Sequence, residues 1–125
     1  MVSPSVSRIF LIEDDPTMVS LLEMLFKIEN YITGKVGKED AGLILAQLNE
    51  FKPDIILLDV YLKKISGLDL LHDIRTHPEL STTKIIMTSG SDIKDLCLSS
   101  GANGFIMKPY MPDELLKMIQ SQLQL

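Results

Sequence analysis

A single cysteine, Cys97, stands in 125 residues. It excludes a disulfide scaffold and a multi-thiolate metal site, and it suits a reducing compartment. Charge is sparse too. Charged residues make up 23% of the chain against 46% hydrophobic, the reverse of the balance that keeps a chain disordered. Positive charge is the minority: 12 Lys and Arg stand against 17 Asp and Glu, a net charge of −5. Such a chain has no bulk attraction to nucleic acid or to an anionic membrane. No apolar run approaches the ~20 residues that span a bilayer. Residues 1–7 lack the charged and apolar regions of a signal peptide. There is no repeat and no low-complexity tract. These absences leave a soluble cytoplasmic domain as the expectation. The length suits one domain, 1–125, that buries roughly two-thirds of its unfolded surface.

What is present is a regular alternation. Four short apolar runs, at 9–12, 55–58, 85–87 and 105–107, are continuous rather than alternating. Strands buried on both faces, as in a parallel sheet covered by helices, read this way. A weaker fifth strand is expected over 31–36, nearer an edge. Helical spacing falls between the runs. After Asp15, Pro16 suits a first helical position, and Met18, Leu21, Leu22, Leu25 and Phe26 share a face. Residues 38–51 bring Ala41, Ile44, Leu45 and Leu48 together, and 68–75 bring Leu68, Leu71 and Ile74 together. A short helix is expected over 92–99 with Leu96 as its apolar anchor. The last, over 112–123, opens on Pro112, Asp113 and Glu114 and presents Leu115, Leu116, Ile119 and Leu123. Five strands alternating with five helices imply an α/β fold with a doubly wound parallel sheet. Ligands of such folds bind beyond the carboxyl ends of the strands.

The residues at those ends carry chemistry. The first run ends in Glu13, Asp14 and Asp15, the next long one in Asp59, the third in Thr88 and Ser89, and the last in Lys108 and Pro109. A parallel sheet gathers all of them in one cleft. Clustered carboxylates repel, by about 4 kcal/mol per pair at ~4 Å and an effective dielectric of 20. A divalent cation offsets this. Oxygen donors without thiolate or histidine favour Mg²⁺, or Mn²⁺ in its place, over zinc. A carboxylate can attack phosphorus to give an acyl phosphate, while Lys108 and the Ser89 hydroxyl can hold phosphoryl oxygens. The set points to Mg²⁺-assisted phosphoryl transfer to an aspartate. Taken singly the residues read otherwise. Glu13 to Asp15 suit a solvated turn with a helix cap, Ser89 a loop hydroxyl, Lys108 a surface charge and Phe105 core. Cys97 reads as a small apolar residue, His72 and His77 as surface and loop residues, and Asp69 and Asp73 as a solvated helix face.

Four segments, IFLIEDDP, PDIILLDVYLKKISGLDLL, KIIMTSGSD and GANGFIMKPY, resemble the receiver domain of two-component response regulators, in order and over nearly the whole chain. The resemblance implies a flavodoxin-like sheet of order 2-1-3-4-5. It implies Asp59 as phospho-acceptor and Asp14 as direct metal ligand. Glu13 would be a second acid acting through water, and Tyr61 would give a further metal ligand through its backbone carbonyl. Ser89 matches the switch hydroxyl, Gly90 the small residue that leaves room for phosphate, Lys108 the phosphate-pairing lysine and Phe105 the switch aromatic. Pro109 suggests a cis Lys–Pro bond. The implied partners are a sensor histidine kinase or phosphotransfer protein and a downstream effector domain or protein, with a homodimer as a further option. Direct nucleic-acid binding and membrane binding by the domain are not expected. The resemblance also implies a switch rather than a metabolic enzyme, one that would catalyse only its own phosphorylation and dephosphorylation.

The departures from the family are specific. Lys63 stands where proline is usual, and Ser66 where an acid is usual before Gly67. The stretch from Ser89 to Gly101 is shorter than usual, which bears on the fourth helix as an output surface. Phe105 lacks the hydroxyl of the common tyrosine and is expected to favour a buried position. Tyr61 and Ser91 occupy the positions that tune loss of phosphate, and neither brings a carboxylate or amide to orient water. Other classes fit less well. A phosphatase would carry an acid where Tyr61 stands, and a flavodoxin phosphate loop would not be Glu13-Asp14-Asp15. A receiver-like interaction module that is never phosphorylated is the remaining alternative, which the intact acids, Ser89 and Lys108 argue against. Lys63-Lys64 is too short for a nucleic-acid patch but suits a partner contact.

Overall fold

The structure, a computed structural model, describes residues 6–36 and 41–124. The four apolar runs are the strands β1 (Arg8–Ile12), β3 (Ile55–Asp59), β4 (Lys84–Ser89) and β5 (Gly104–Met107), and the weaker stretch is β2 (Ile32–Lys35). Between them run α1 (Pro16–Ile28), α2 (Ala41–Phe51), α3 (Gly67–Thr76), α4 (Lys94–Ser99) and α5 (Pro112–Leu123). Every strand pairing is parallel, in the order β2-β1-β3-β4-β5, with β2 at an edge.

Strand periodicity divides the core into two layers. Phe10, Ile12, Ile56, Leu58 and Met87 meet α2, α3 and α4 on one face. Ile9, Leu11, Ile55, Leu57, Ile86 and Ile106 meet Leu22 and Phe26 of α1 and Leu115 and Ile119 of α5 on the other. All five residues of β3 are buried, which is why its run shows no alternation. Asp15 caps α1 by accepting from the Thr17 and Met18 N–H groups, with Pro16 opening the helix.

Two apolar anchors differ from the sequence-based expectation. Of the face expected on α1, Leu22 and Phe26 are buried and Met18 and Leu25 pack beside them, but Leu21 is 58% exposed. Neighbouring residues lie about 100° apart around a helix, and one sheet face covers only part of that circle. Leu96 is 50% exposed, while Cys97 is fully buried and anchors α4. A helix of six residues is too short for spacing to fix its inward side. The second helix, expected from residue 38, runs from Ala41; residues 38–40 and the Ala41 side chain lie outside the described residues.

Arg75, at the end of α3, ties the amino ends of β4 and β5. Its Nε donates to Gly101 O at 2.9 Å, its Nη1 to Thr83 O at 2.7 Å and Ser81 O at 3.2 Å, and its Nη2 to Asn103 Oδ1 at 2.8 Å. The same Asn103 oxygen accepts from the Ile85 N–H. The sequence offered no sign of this role, because a basic residue in a last helical turn is ordinary.

Candidate functional site

Parallel pairing brings the carboxyl ends of β1, β3, β4 and β5 to one end of the sheet. Asp59 and Ser89 are the last residues of their strands, and Glu13 and Lys108 directly follow theirs. The backbone fixes these ends: Val60 N–H donates to Thr88 O at 2.9 Å, and Lys108 N–H to Ser89 O at 2.8 Å. The Lys108–Pro109 peptide bond is cis, as expected.

Lys108 sits between two acids. Its Nζ donates to Glu13 Oε1 at 2.6 Å and to Asp59 Oδ2 at 3.1 Å. Glu13 Oε2 accepts the Asp14 and Asp15 N–H groups at 2.8 and 3.2 Å. Asp59 is 8% exposed. Burial, reinforced by the Glu13 charge and opposed by Lys108, pushes its carboxyl pKa up to about 6. For Lys108, burial acts to lower the pKa, but the hydrogen bonds and charges of Glu13 and Asp59 outweigh it and hold the ammonium above the usual lysine value.

Asp14 does not join that pair. Its Oδ2 accepts the Lys63 backbone N–H from the loop after β3. Among the described residues no three acids, histidines or cysteines stand together as a ready metal cage, so the gathering of carboxylates expected from sequence is looser than drawn. The charge nevertheless fits a divalent cation. Among these four side chains, the acids Glu13, Asp14 and Asp59 outnumber the single amine of Lys108 by two. Oxygen donors in an incomplete set suit Mg²⁺, which keeps several waters and takes only one or two carboxylates.

Residues 9–120 match the response regulator receiver domain. The chain belongs to that family. Among relatives of this receiver domain, the DNA-binding response regulator MtrA of Mycolicibacterium smegmatis is 30% identical over 119 residues, which are 94% of this chain and 50% of the relative. The cell cycle transcriptional regulator CtrA of Caulobacter vibrioides is 32% identical over 118 residues, 91% of this chain and 49% of the relative. The receiver domain thus spans about half the length of the curated relatives it matches. Its fold is shared, at a TM-score of 0.82 and 24% identity over 94% of this chain and 98% of the other, by the receiver domain of a Pseudomonas aeruginosa sensor histidine kinase. That protein holds a magnesium ion in its active-site cleft.

Ser89 is fully buried, and its Oγ accepts the N–H of exposed Ser91 at 3.0 Å. A Cβ at Gly90 would meet nothing within 4 Å, so the space beside the Gly90 main chain is open. Phe105 is 8% exposed and packs into the core layer of α2, α3 and α4, the buried position expected of a ring without a hydroxyl. Tyr61 is 62% exposed, and its residue pairs with Ser66 as an antiparallel bridge across the loop after β3. Two neighbours escaped the sequence reading. Tyr110 packs with the layer of α1 and α5, its hydroxyl 4.0 Å from Met18 Sδ, and burial raises its pKa to about 12. Gly67 lets the start of α3 lie directly on the main chain of Asp59 and Val60. A glycine demanded by close approach leaves no periodic signal. None of the described helices is long and apolar enough to cross a membrane.

Proposed function

We propose that Asp59 of this receiver domain accepts a phosphoryl group from a phosphohistidine of a sensor histidine kinase or phosphotransfer protein, in the cytoplasm, and that the acyl phosphate switches a partner or effector surface. The observation that carries this reading is the Lys108 ammonium between Glu13 and Asp59, with negative charge left over for a divalent cation. A carboxylate oxygen of Asp59 attacks phosphorus, the P–N bond of the donor breaks, and its electron pair leaves on the imidazole. Lys108 faces the phosphoryl oxygens as they arrive and neutralises part of their charge. Ser89 accepts from Ser91 N–H, so its own hydroxyl hydrogen is free to donate to a phosphoryl oxygen. Asp14, Glu13, Asp59 and the Tyr61 carbonyl would hold Mg²⁺, or Mn²⁺ as its substitute. The ion, when bound, would supply neutralisation of phosphoryl charge. Ser89 and Phe105 would relay the change, and output would pass to an effector domain or separate protein rather than to nucleic acid touched by this domain.

Incubation with acetyl phosphate and Mg²⁺, read by intact mass, tests the assignment. The parent is expected to gain one phosphoryl group and Asp59→Asn none. A parent that gains none would leave the unphosphorylated interaction module standing.

The positions of Tyr61 and Ser91 bear on lifetime. Neither has a carboxylate or amide to orient attacking water. Tyr61→Asn supplies an amide and is expected to lose phosphate about tenfold faster, a change that needs only ~1.4 kcal/mol. An unchanged rate would make Tyr61 a surface contact with no part in hydrolysis.

A further inference from the structure

The hydrogen bond from the Lys63 backbone N–H to Asp14 Oδ2 joins the loop after β3 to the end of β1, between residues 49 apart in the chain. A proline at this position would have no N–H to donate, so the bond needs a residue that keeps one. The loop that carries it is held at several points. Tyr61 and Ser66 pair across it, and Gly67 N–H donates to Val60 O at 2.8 Å. Leu62 and Ile65 pack against the core and, with Asp14, border a cavity of about 70 Å³. The loop's apolar side chains are thus pinned beside Asp14. The Lys63 side chain is exposed, which leaves the peptide N–H as the group that touches the acid.

A carboxylate has about four lone-pair directions on two oxygens. A bond to Oδ2 fixes its orientation and leaves Oδ1 to ligate. Hydrogen bonds to ligating carboxylates orient them in this way and sustain metal affinity.

We infer that Lys63 is a positioning residue whose backbone N–H, not its ammonium, orients the Asp14 carboxylate for a divalent cation and so ties the order of the loop after β3 to occupancy of the site. The inference rests on the reading of Asp14 as a metal-binding acid. Linkage makes the effect reciprocal: an ordered loop strengthens cation binding, and the bound cation orders the loop.

The test uses the full chain without phosphodonor and titrates Mg²⁺ alone, read by calorimetry. Lys63→Pro removes the N–H and is expected to weaken Mg²⁺ binding about tenfold. Lys63→Ala removes the ammonium, keeps the N–H and is expected to restore the parent affinity. If Asp14→Ala leaves the affinity unchanged, the reading of Asp14 itself fails. If Asp14→Ala loses Mg²⁺ while Lys63→Pro binds like the parent, or if Lys63→Ala weakens binding as much as Lys63→Pro, the positioning role alone is overturned. A metal-free measurement keeps the inference testable even where Lys63→Pro does not fold. The Lys63 amide is expected to exchange slowly with solvent in the parent and faster in Asp14→Ala. Equal exchange rates would overturn the inference.

Discussion

Gly67→Ala is expected to destabilise the domain by about 3 kcal/mol or more, a loss reserved for changes that force backbone apart in a packed region. A Cβ at position 67 would stand 2.2 Å from Asp59 O, 2.7 Å from Val60 Cα and 2.8 Å from Val60 O. These are main-chain atoms of a fully buried strand and the residue after it. No rotamer change relieves the overlap, so either α3 lifts or the end of β3 moves. Lifting α3 exposes Leu70, Leu71 and Ile74. Moving β3 displaces Asp59 from Lys108. The variant should therefore lose both stability in urea unfolding and phosphoryl uptake in its folded fraction. A loss below about 1 kcal/mol would show that the helix start has slack that the packing denies.

Asp59→Asn should act in the opposite direction on stability. The Asp59 carboxyl is pushed from its ordinary value of 3.8 up to about 6, first by burial and then by the Glu13 charge. Between those two values the folded state holds a proton that the unfolded chain has released. The stability contributed by this group is therefore present at low pH and is lost as pH rises through that window. A folded-state pKa one pH unit above the unfolded value corresponds to about 1.4 kcal/mol, and the neutral amide gives up part of that gain with its bond to Lys108. The net expectation is a variant about 2 kcal/mol more stable than the parent at pH 7. Lys108 is not orphaned, because Glu13 Oε1 remains at 2.6 Å. Urea unfolding between pH 4 and pH 7 checks the sign: the parent curve should fall where the variant stays level. Mg²⁺ at a hundredfold excess over its dissociation constant should return about 2.7 kcal/mol to the parent and much less to the variant. A variant less stable than the parent at pH 7 would mean that the Lys108 pair outweighs the repulsion.

The strands were legible because burial on both faces removes polar residues from the run, and β3 is the clearest instance. Asp59 was legible for the same reason: an acid at the end of such a run needs a purpose. The resemblance supplied the strand order, which composition does not carry, and it implied switch roles for Ser89 and Phe105 beyond the phosphate-holding chemistry read from Ser89 and Lys108 themselves. What sequence misjudged was direction around helices. Leu21 and Leu96 have the right chemistry for a core, but which neighbour covers a helix is set by the sheet, not by the helix. What it missed were backbone events. The amide of Lys63 that reaches Asp14 and the bare Cα of Gly67 that admits α3 have no side-chain signature. The side chain of Arg75 has one, but it is the same in solvent as among carbonyls.

That arginine has a consequence for the conditions under which the sheet holds together. All four acceptors of its guanidinium are neutral oxygens. Added electrolyte screens no counter-ion there, and acidification protonates no partner. The opposite pole is built from carboxylates and one ammonium, where added cations and protons change the balance. The base of the sheet is thus tied by contacts indifferent to ionic conditions that alter the balance at its other end. The amino ends of β4 and β5 should therefore keep their ties across a range of salt and acidity that alters the charge balance beside Asp59.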